Sequence, residues 1–132
     1  MPPELTFLAL TAILALVHPS VQGLVLKAEV GNAWTVGARD HDAPRQAPLA
    51  GRARRATANF LETAGAFVAA TLVLHLGELA SDMTRVSSII YLAGRAAYLP
   101  AYLVGIPWIR TLIWNIATAG LVLVVAGIWW HP

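Results

Sequence analysis

Four stretches of this chain are each long enough and poor enough in charge to cross a membrane as a helix. Leu5 to Leu26 carries no Asp, Glu, Lys or Arg and one histidine, His18, while Phe60 to Gly77 carries only Glu62 and His75. Val86 to Ile109 carries only Arg95, and Thr111 to Trp130 carries none. A bilayer core needs about 20 residues of helix. Inside it every backbone polar group must be satisfied within the protein, which favours helices for runs of this kind. The four runs fill most of the 132 residues. The expected fold is therefore all-α, an integral membrane four-helix bundle. It forms a single domain over residues 1–132, with spans at about 5–26, 57–77, 86–106 and 111–130. Composition agrees: apolar residues make up 58% and charged ones 12%, about half the charged share of a soluble domain.

The first run is read as a retained span rather than a cleaved signal. The only charged side chain before it is Glu4, whereas a signal needs a positive n-region. His18-Pro19 is expected to kink this helix without ending it. The chain has no cysteine, which excludes disulfides, a thiol nucleophile and thiolate metal sites. Its four histidines, His18, His41, His75 and His131, show no ligand spacing, so no metal site is expected. His75 reads as a capping or interfacial residue, and His41-Asp42 as a solvated turn.

The net charge of +2 conceals an asymmetry. Six of the nine basic residues (Lys27, Arg39, Arg45, Arg52, Arg54, Arg55) lie between the first and second runs. The positive-inside rule assigns the loop over residues 27–55 to the cytoplasm. Glu29, Asp40 and Asp42 interrupt the basic residues, and no binding motif accompanies them, so nucleic acid is not an expected partner. Membrane lipids are. Trp129-Trp130 closes the last run as an interfacial anchor.

Two polar stripes interrupt the apolar pattern. Arg52, Arg55, Asn59 and Glu62, spaced three, four and three apart, share one helix face. Tyr91, Arg95, Tyr98 and Tyr102 form a second stripe within the third run. A mid-membrane charge costs about 2.5–3.5 kcal/mol on insertion scales, so Glu62 and Arg95, of opposite sign, are expected to pair. Arg52 and Arg54 are read as headgroup and topology residues. Arg55, Arg95 and Arg110 then remain in excess, with Asn59, Tyr98 and Tyr102 beside them. Arginine suits carboxylate recognition, so this set fits a small anionic ligand that also carries an amine. Interfacial tyrosine is the plainer reading of Tyr98 and Tyr102. Rows of small residues, Ala66 with Ala70 and Ala93 with Ala97 and Ala101, would let helices approach closely, within the bundle or between subunits.

The same residues carry a resemblance. The run Arg55-Ala-Thr-Ala-Asn59-Phe-Leu-Glu62 resembles the second-helix motif of the MAPEG family, the membrane-associated proteins of eicosanoid and glutathione metabolism. Gly94-Arg95-Ala-Ala-Tyr98-Leu-Pro-Ala-Tyr102, with Gly105-Ile-Pro107-Trp-Ile-Arg110, resembles its second motif. The likeness covers nearly the whole chain and is that of a bacterial-type member, which would place it in a bacterial inner membrane. It implies a homotrimer that binds glutathione as cosubstrate between neighbouring subunits near the cytoplasmic side. It also implies substrate-binding roles for Arg55, Asn59, Glu62, Arg95, Tyr98 and Tyr102. Arg110 matches the arginine thought to activate the glutathione thiol, and Thr111 a hydroxyl position proposed as helper or alternative. Ala58 and Trp114 depart from the pattern, standing where some members have an arginine and an aromatic hydroxyl.

The function expected from this resemblance is a glutathione-dependent membrane enzyme, a transferase or peroxidase acting on a lipophilic small-molecule electrophile. Without a cysteine in the chain, the thiol has to come from the cosubstrate. The alternative is a non-catalytic membrane binding or structural protein on the same scaffold. A four-span transporter would be expected to place its essential carboxylate in the first span, which has none.

Overall fold

In a computed structural model, residues 1–41 and 48–130 are described. Arg45, counted in the basic loop, Asp42 of the expected turn, and His131 lie outside them. The described chain is all-α: α1 (Pro3–Val30), a short α2 (Asn32–Val36), α3 (Pro48–Leu76), α4 (Asp82–Val104) and α5 (Pro107–Ala126). Of the four main helices, α1, α3 and α5 are long and apolar enough to cross a membrane. The chain is thus a multi-pass integral membrane protein. By the same measure α4 is not among the span candidates, although 23 residues extend about 34 Å at 1.5 Å per residue. The residues that lower its hydropathy point inward: Thr84, Ser87, Ser88, Tyr91, Arg95 and Tyr98 are all buried.

The helices begin and end for local reasons. Pro19 lies inside α1, and the helix runs on through it. Side chains around the interruption pick up backbone carbonyls: His18 Nδ1 lies 2.9 Å from the Leu14 oxygen, and Ser20 Oγ donates to Leu16 at 2.7 Å. The first turn of α3 leaves orphan N–H groups. Glu29, from the far end of α1, accepts one of them from Ala50 at 2.7 Å. Ser81 and Thr84 close a capping box at the start of α4. Gly105, at φ 82°, ends α4 in the left-handed conformation that glycine adopts freely. Pro107 then starts α5 at a position where its missing N–H costs nothing. Pro100 sits inside α4, and the turn falls at Gly105 and Ile106.

The bundle is built from two close pairs, α1 with α3 and α4 with α5. Phe7, Phe67, Leu74, Tyr91, Leu92, Leu121 and Val124 fill the core between them, with Phe67 stacked on Tyr91 at 4.4 Å. Close approach of α4 to α5 depends on glycine. A Cβ on Gly94 would lie 2.7 Å from that of Ala117, and one on Gly120 would lie 2.9 Å from the Ser87 carbonyl oxygen. Within the chain the expected alanine rows do not serve this purpose. Ala66, Ala93 and Ala97 are exposed, while Ala70 is buried. At the end of the bundle where α1 and α4 begin, Glu4 accepts from Arg85 Nε at 3.0 Å. The sequence alone gives Glu4 no such role; there it counts only against a signal peptide.

Candidate functional site

The other end of the bundle, where α3 starts, α4 ends and α5 starts, collects the polar side chains of both stripes. Their helical spacing is what brings them together: Arg55 and Asn59 lie one turn apart on α3, and Arg95, Tyr98 and Tyr102 follow one another along α4. A cavity of about 240 Å³ is lined by Asn59, Tyr98, Arg110, Thr111 and Trp114. Trp114, which in the sequence stands out only as a departure from a pattern, forms part of the wall. Two cavities of about 480 Å³ lie at the opposite end, around Ser81 with Trp130 and around Glu4 with His75. Neither contains the arginine cluster.

Tyr102 is the hub of that cluster. Arg55 Nε donates to its hydroxyl at 3.2 Å, and the Arg55 guanidinium lies 5.9 Å from its ring centroid. Arg110 lies 4.7 Å from the same centroid. Both distances are within the range of a cation–π contact. Tyr98 meets Tyr102 edge-on at 5.4 Å. On α3 and α5, Arg55 and Arg110 are thus held through one aromatic ring contributed by α4.

Arg95 is arranged differently. It is fully buried and donates from Nη1 to Asn59 Oδ1 at 2.8 Å. Its guanidinium stands 5.4 Å from the Tyr91 ring and 5.8 Å from that of Tyr98. It does not line the cavity; it fixes Asn59, which does. The expected Glu62–Arg95 ion pair does not form. Glu62 is exposed and has no ion-pair partner among the described residues. The reason lies in helix phase. Asn59 rather than Glu62 faces α4 at the level of Arg95, and Glu62, three residues on, falls on the outer side of α3.

Two other residues have roles that the sequence does not suggest. Arg52, expected at lipid headgroups, instead donates to the Leu103 carbonyl at 3.1 Å. It thereby caps the C-terminal end of α4, where carbonyls lack helical partners and positive charge is favoured. No sequence signal marks a contact between residues 51 apart. Thr111 Oγ1 donates to the Pro107 carbonyl at 3.0 Å, so its hydrogen is committed within α5. Arg54 is exposed.

The electrostatic balance of the site is cationic. Three guanidiniums, of Arg55, Arg95 and Arg110, surround two tyrosine rings. The N-terminus of α5 adds its partial positive charge beside them. Glu62, on the same helix as Arg55, has no ion-pair partner among the described residues. Such an arrangement can bind an anion and can stabilise negative charge that develops on a bound group. Among the described residues no cluster of metal-ligating side chains occurs.

Comparison with known proteins matches residues 7–130 to the family model described as MAPEG family. No curated protein and no solved structure matches the chain.

Proposed function

This chain belongs to the MAPEG family, which includes glutathione-dependent membrane enzymes, and from that premise we propose that it is one, a transferase or peroxidase acting on lipophilic electrophiles. The observation that carries the reading is the convergence of Arg55 and Arg110 on Tyr102, with Glu62, two turns on from Arg55 along α3, exposed and without an ion-pair partner among the described residues. Glutathione carries two carboxylates and one amine, and this charge set complements it: arginines for the carboxylates, Glu62 for the ammonium. Asn59, Tyr98 and Tyr102 supply hydrogen bonds. Arg95 acts by holding Asn59.

Arg110 is the catalytic residue in this proposal. An ordinary thiol, with pKa about 8.5, is only a few per cent thiolate at neutral pH. Bringing that value to about 7 takes roughly 2 kcal/mol of preferential stabilisation. One guanidinium within about 4–6 Å can supply it in a site shielded from water. Arg110 lines the cavity. Thr111 also lines it, but its hydroxyl hydrogen would have to leave the Pro107 carbonyl to reach a thiolate, so it serves as helper at most. In conjugation the thiolate sulfur bonds to the electrophilic carbon, the leaving group departs with the bonding pair, and the thiol proton passes to solvent. In the peroxidase variant two glutathiones are oxidised to the disulfide while one hydroperoxide is reduced to alcohol and water.

The proposal includes a homotrimer. The site cavity, about 240 Å³, is smaller than the roughly 300–1,000 Å³ of pockets that enclose a small molecule. One chain therefore supplies one wall. Glu62, Ala93, Ala97 and Asn115 are exposed on single helices, and a neighbouring subunit would cover polar and small residues that lipid does not favour. In this reading α4 also crosses the membrane, as the third of four spans, shielded on its polar side by the bundle. The basic loop between α1 and α3 faces the cytoplasm, and the site lies at that end.

The test is purification in detergent, sizing of the oligomer, and thermal unfolding with and without millimolar glutathione, followed by conjugation to a generic electrophile. Stabilisation by glutathione and thiol-dependent turnover are expected. A folded trimer showing neither would overturn the proposal.

A further inference from the structure

Behind the cavity, between α1, α3 and α4, lies a buried polar group the site does not use. His18 is 1% exposed and stacks on Phe60 with ring centroids 4.4 Å apart. Thr57 Oγ1 donates to the His18 carbonyl at 3.2 Å, which pins α1 to α3 at this level. His18 Nδ1 lies 2.9 Å from the Leu14 carbonyl oxygen. A carbonyl only accepts, so Nδ1 carries the hydrogen, and in the neutral ring Nε2 is left as an acceptor. That Nε2 is buried without a partner.

Arg95 has the complementary deficit. Only Nη1 finds an acceptor, Asn59, while Nε and Nη2 are buried with none. A guanidinium presents five N–H donors, and buried donors left unmade cost about 1–3 kcal/mol each, more for charged groups. These two nitrogens are closed off from the cavity, so a ligand there cannot satisfy them. Both groups meet α3 at the same level: His18 stacks on Phe60, and Arg95 donates to Asn59, the residue before it. Two orphan donors and one orphan acceptor in one buried region match the requirements of a structural water, which needs about two to four polar partners.

We propose that one buried water accepts from the Arg95 guanidinium edge and donates to His18 Nε2, making His18 a positioning residue for Arg95. The chain of contacts then runs from α1 through the water to Arg95, from Arg95 to Asn59, and from Asn59 to the cavity wall. A helix whose sequence shows no charge over its apolar run thereby takes part in ordering the site. The link itself does not depend on which anion the cavity takes; its effect on glutathione affinity rests on the function proposed above.

The test is 15N NMR of histidine-labelled protein in micelles, in a background of His41→Gln, His75→Gln and His131→Gln that leaves His18 as the one histidine. The expected spectrum at neutral pH is that of a neutral ring protonated at Nδ1, with Nε2 shifted upfield of its free value by an accepted hydrogen bond. Arg95→Lys should return Nε2 towards the free value. An Nε2-protonated ring, a free Nε2 in the presence of Arg95, or a resonance indifferent to Arg95→Lys would each overturn the proposal. The spectrum with Arg95 intact decides alone if the lysine variant does not fold. In parallel, His18→Phe should weaken glutathione binding about fivefold, equivalent to one neutral hydrogen bond, and His18→Gln should restore most of it. Wild-type affinity in His18→Phe would refute the positioning role. No binding by any protein, wild type included, would overturn the glutathione reading, while the spectrum of His18 would still decide whether the water link exists.

Discussion

Arg95 Nη1 donates to Asn59 Oδ1 at 2.8 Å, and this bond, with that from Arg55 to Tyr102, joins the two polar stripes of α3 and α4. It replaces the ion pair with Glu62 that opposite charges suggest. The substitution changes the chemistry of the site. A neutral partner leaves the Arg95 charge in place, and it leaves Glu62 free for an ammonium.

Asn59→Leu should destabilise the protein by about 2–3 kcal/mol, because it removes the protein acceptor that a fully buried guanidinium has among the described residues. Asn59→Asp should retain stability near wild type by keeping an acceptor in place. Thermal unfolding in detergent measures both. Equal, small effects would mean that the bond does not hold α3 to α4.

Glu62→Gln should leave unfolding without ligand unchanged, since Glu62 is exposed and unpaired within the described chain. It should weaken glutathione binding about tenfold, or roughly 1.4 kcal/mol, by removing the counter-charge for the ammonium. Calorimetric titration distinguishes this from an internal ion pair, whose loss would lower stability first.

The pair Arg110→Ala and Thr111→Ala separates the two catalytic candidates. Arg110→Ala should keep glutathione affinity within about tenfold and lose most turnover, as expected for an interaction that strengthens as thiolate forms. Thr111→Ala should change turnover less than about threefold, because its hydroxyl is already given to Pro107. The reverse ranking in steady-state kinetics would move the role to Thr111.

Gly94→Val and Gly120→Val should each cost about 1–3 kcal/mol, the usual range for forcing extra volume into a packed interface. Their added carbons would meet Ala117 and the Ser87 and Tyr91 backbone. Gly23→Ala on α1 is the control: nothing lies within 4 Å of its Cβ position, and it should be neutral or slightly stabilising. Unfolding midpoints as low for Gly23→Ala as for the other two would contradict this explanation of α4–α5 packing.

Much of this is legible in the sequence because membrane helices announce themselves by length and charge. The helix through His18-Pro19 and the face shared by Arg55 and Asn59 both follow from local rules. The partners of the charged residues do not. Charge signs favour Glu62 for Arg95, but the rotation of α3 about its axis decides the matter, and that rotation is set by Phe60 and Phe67 in the core. Glu4–Arg85 and Arg52–Leu103 join residues 81 and 51 positions apart, beyond the reach of any local pattern. The glycines of α4 and α5 are less conspicuous in the sequence than the alanine rows, which keep a regular spacing but largely face outward.

In the proposed reaction Arg110 stabilises the thiolate of bound glutathione. The most direct measurement is the ultraviolet difference absorption of the thiolate when glutathione is added to the folded protein at neutral pH. A thiolate band that saturates with glutathione, and is abolished in Arg110→Ala while binding persists, is the predicted result. Glutathione binding without a thiolate band, or a band unchanged in Arg110→Ala, would contradict it.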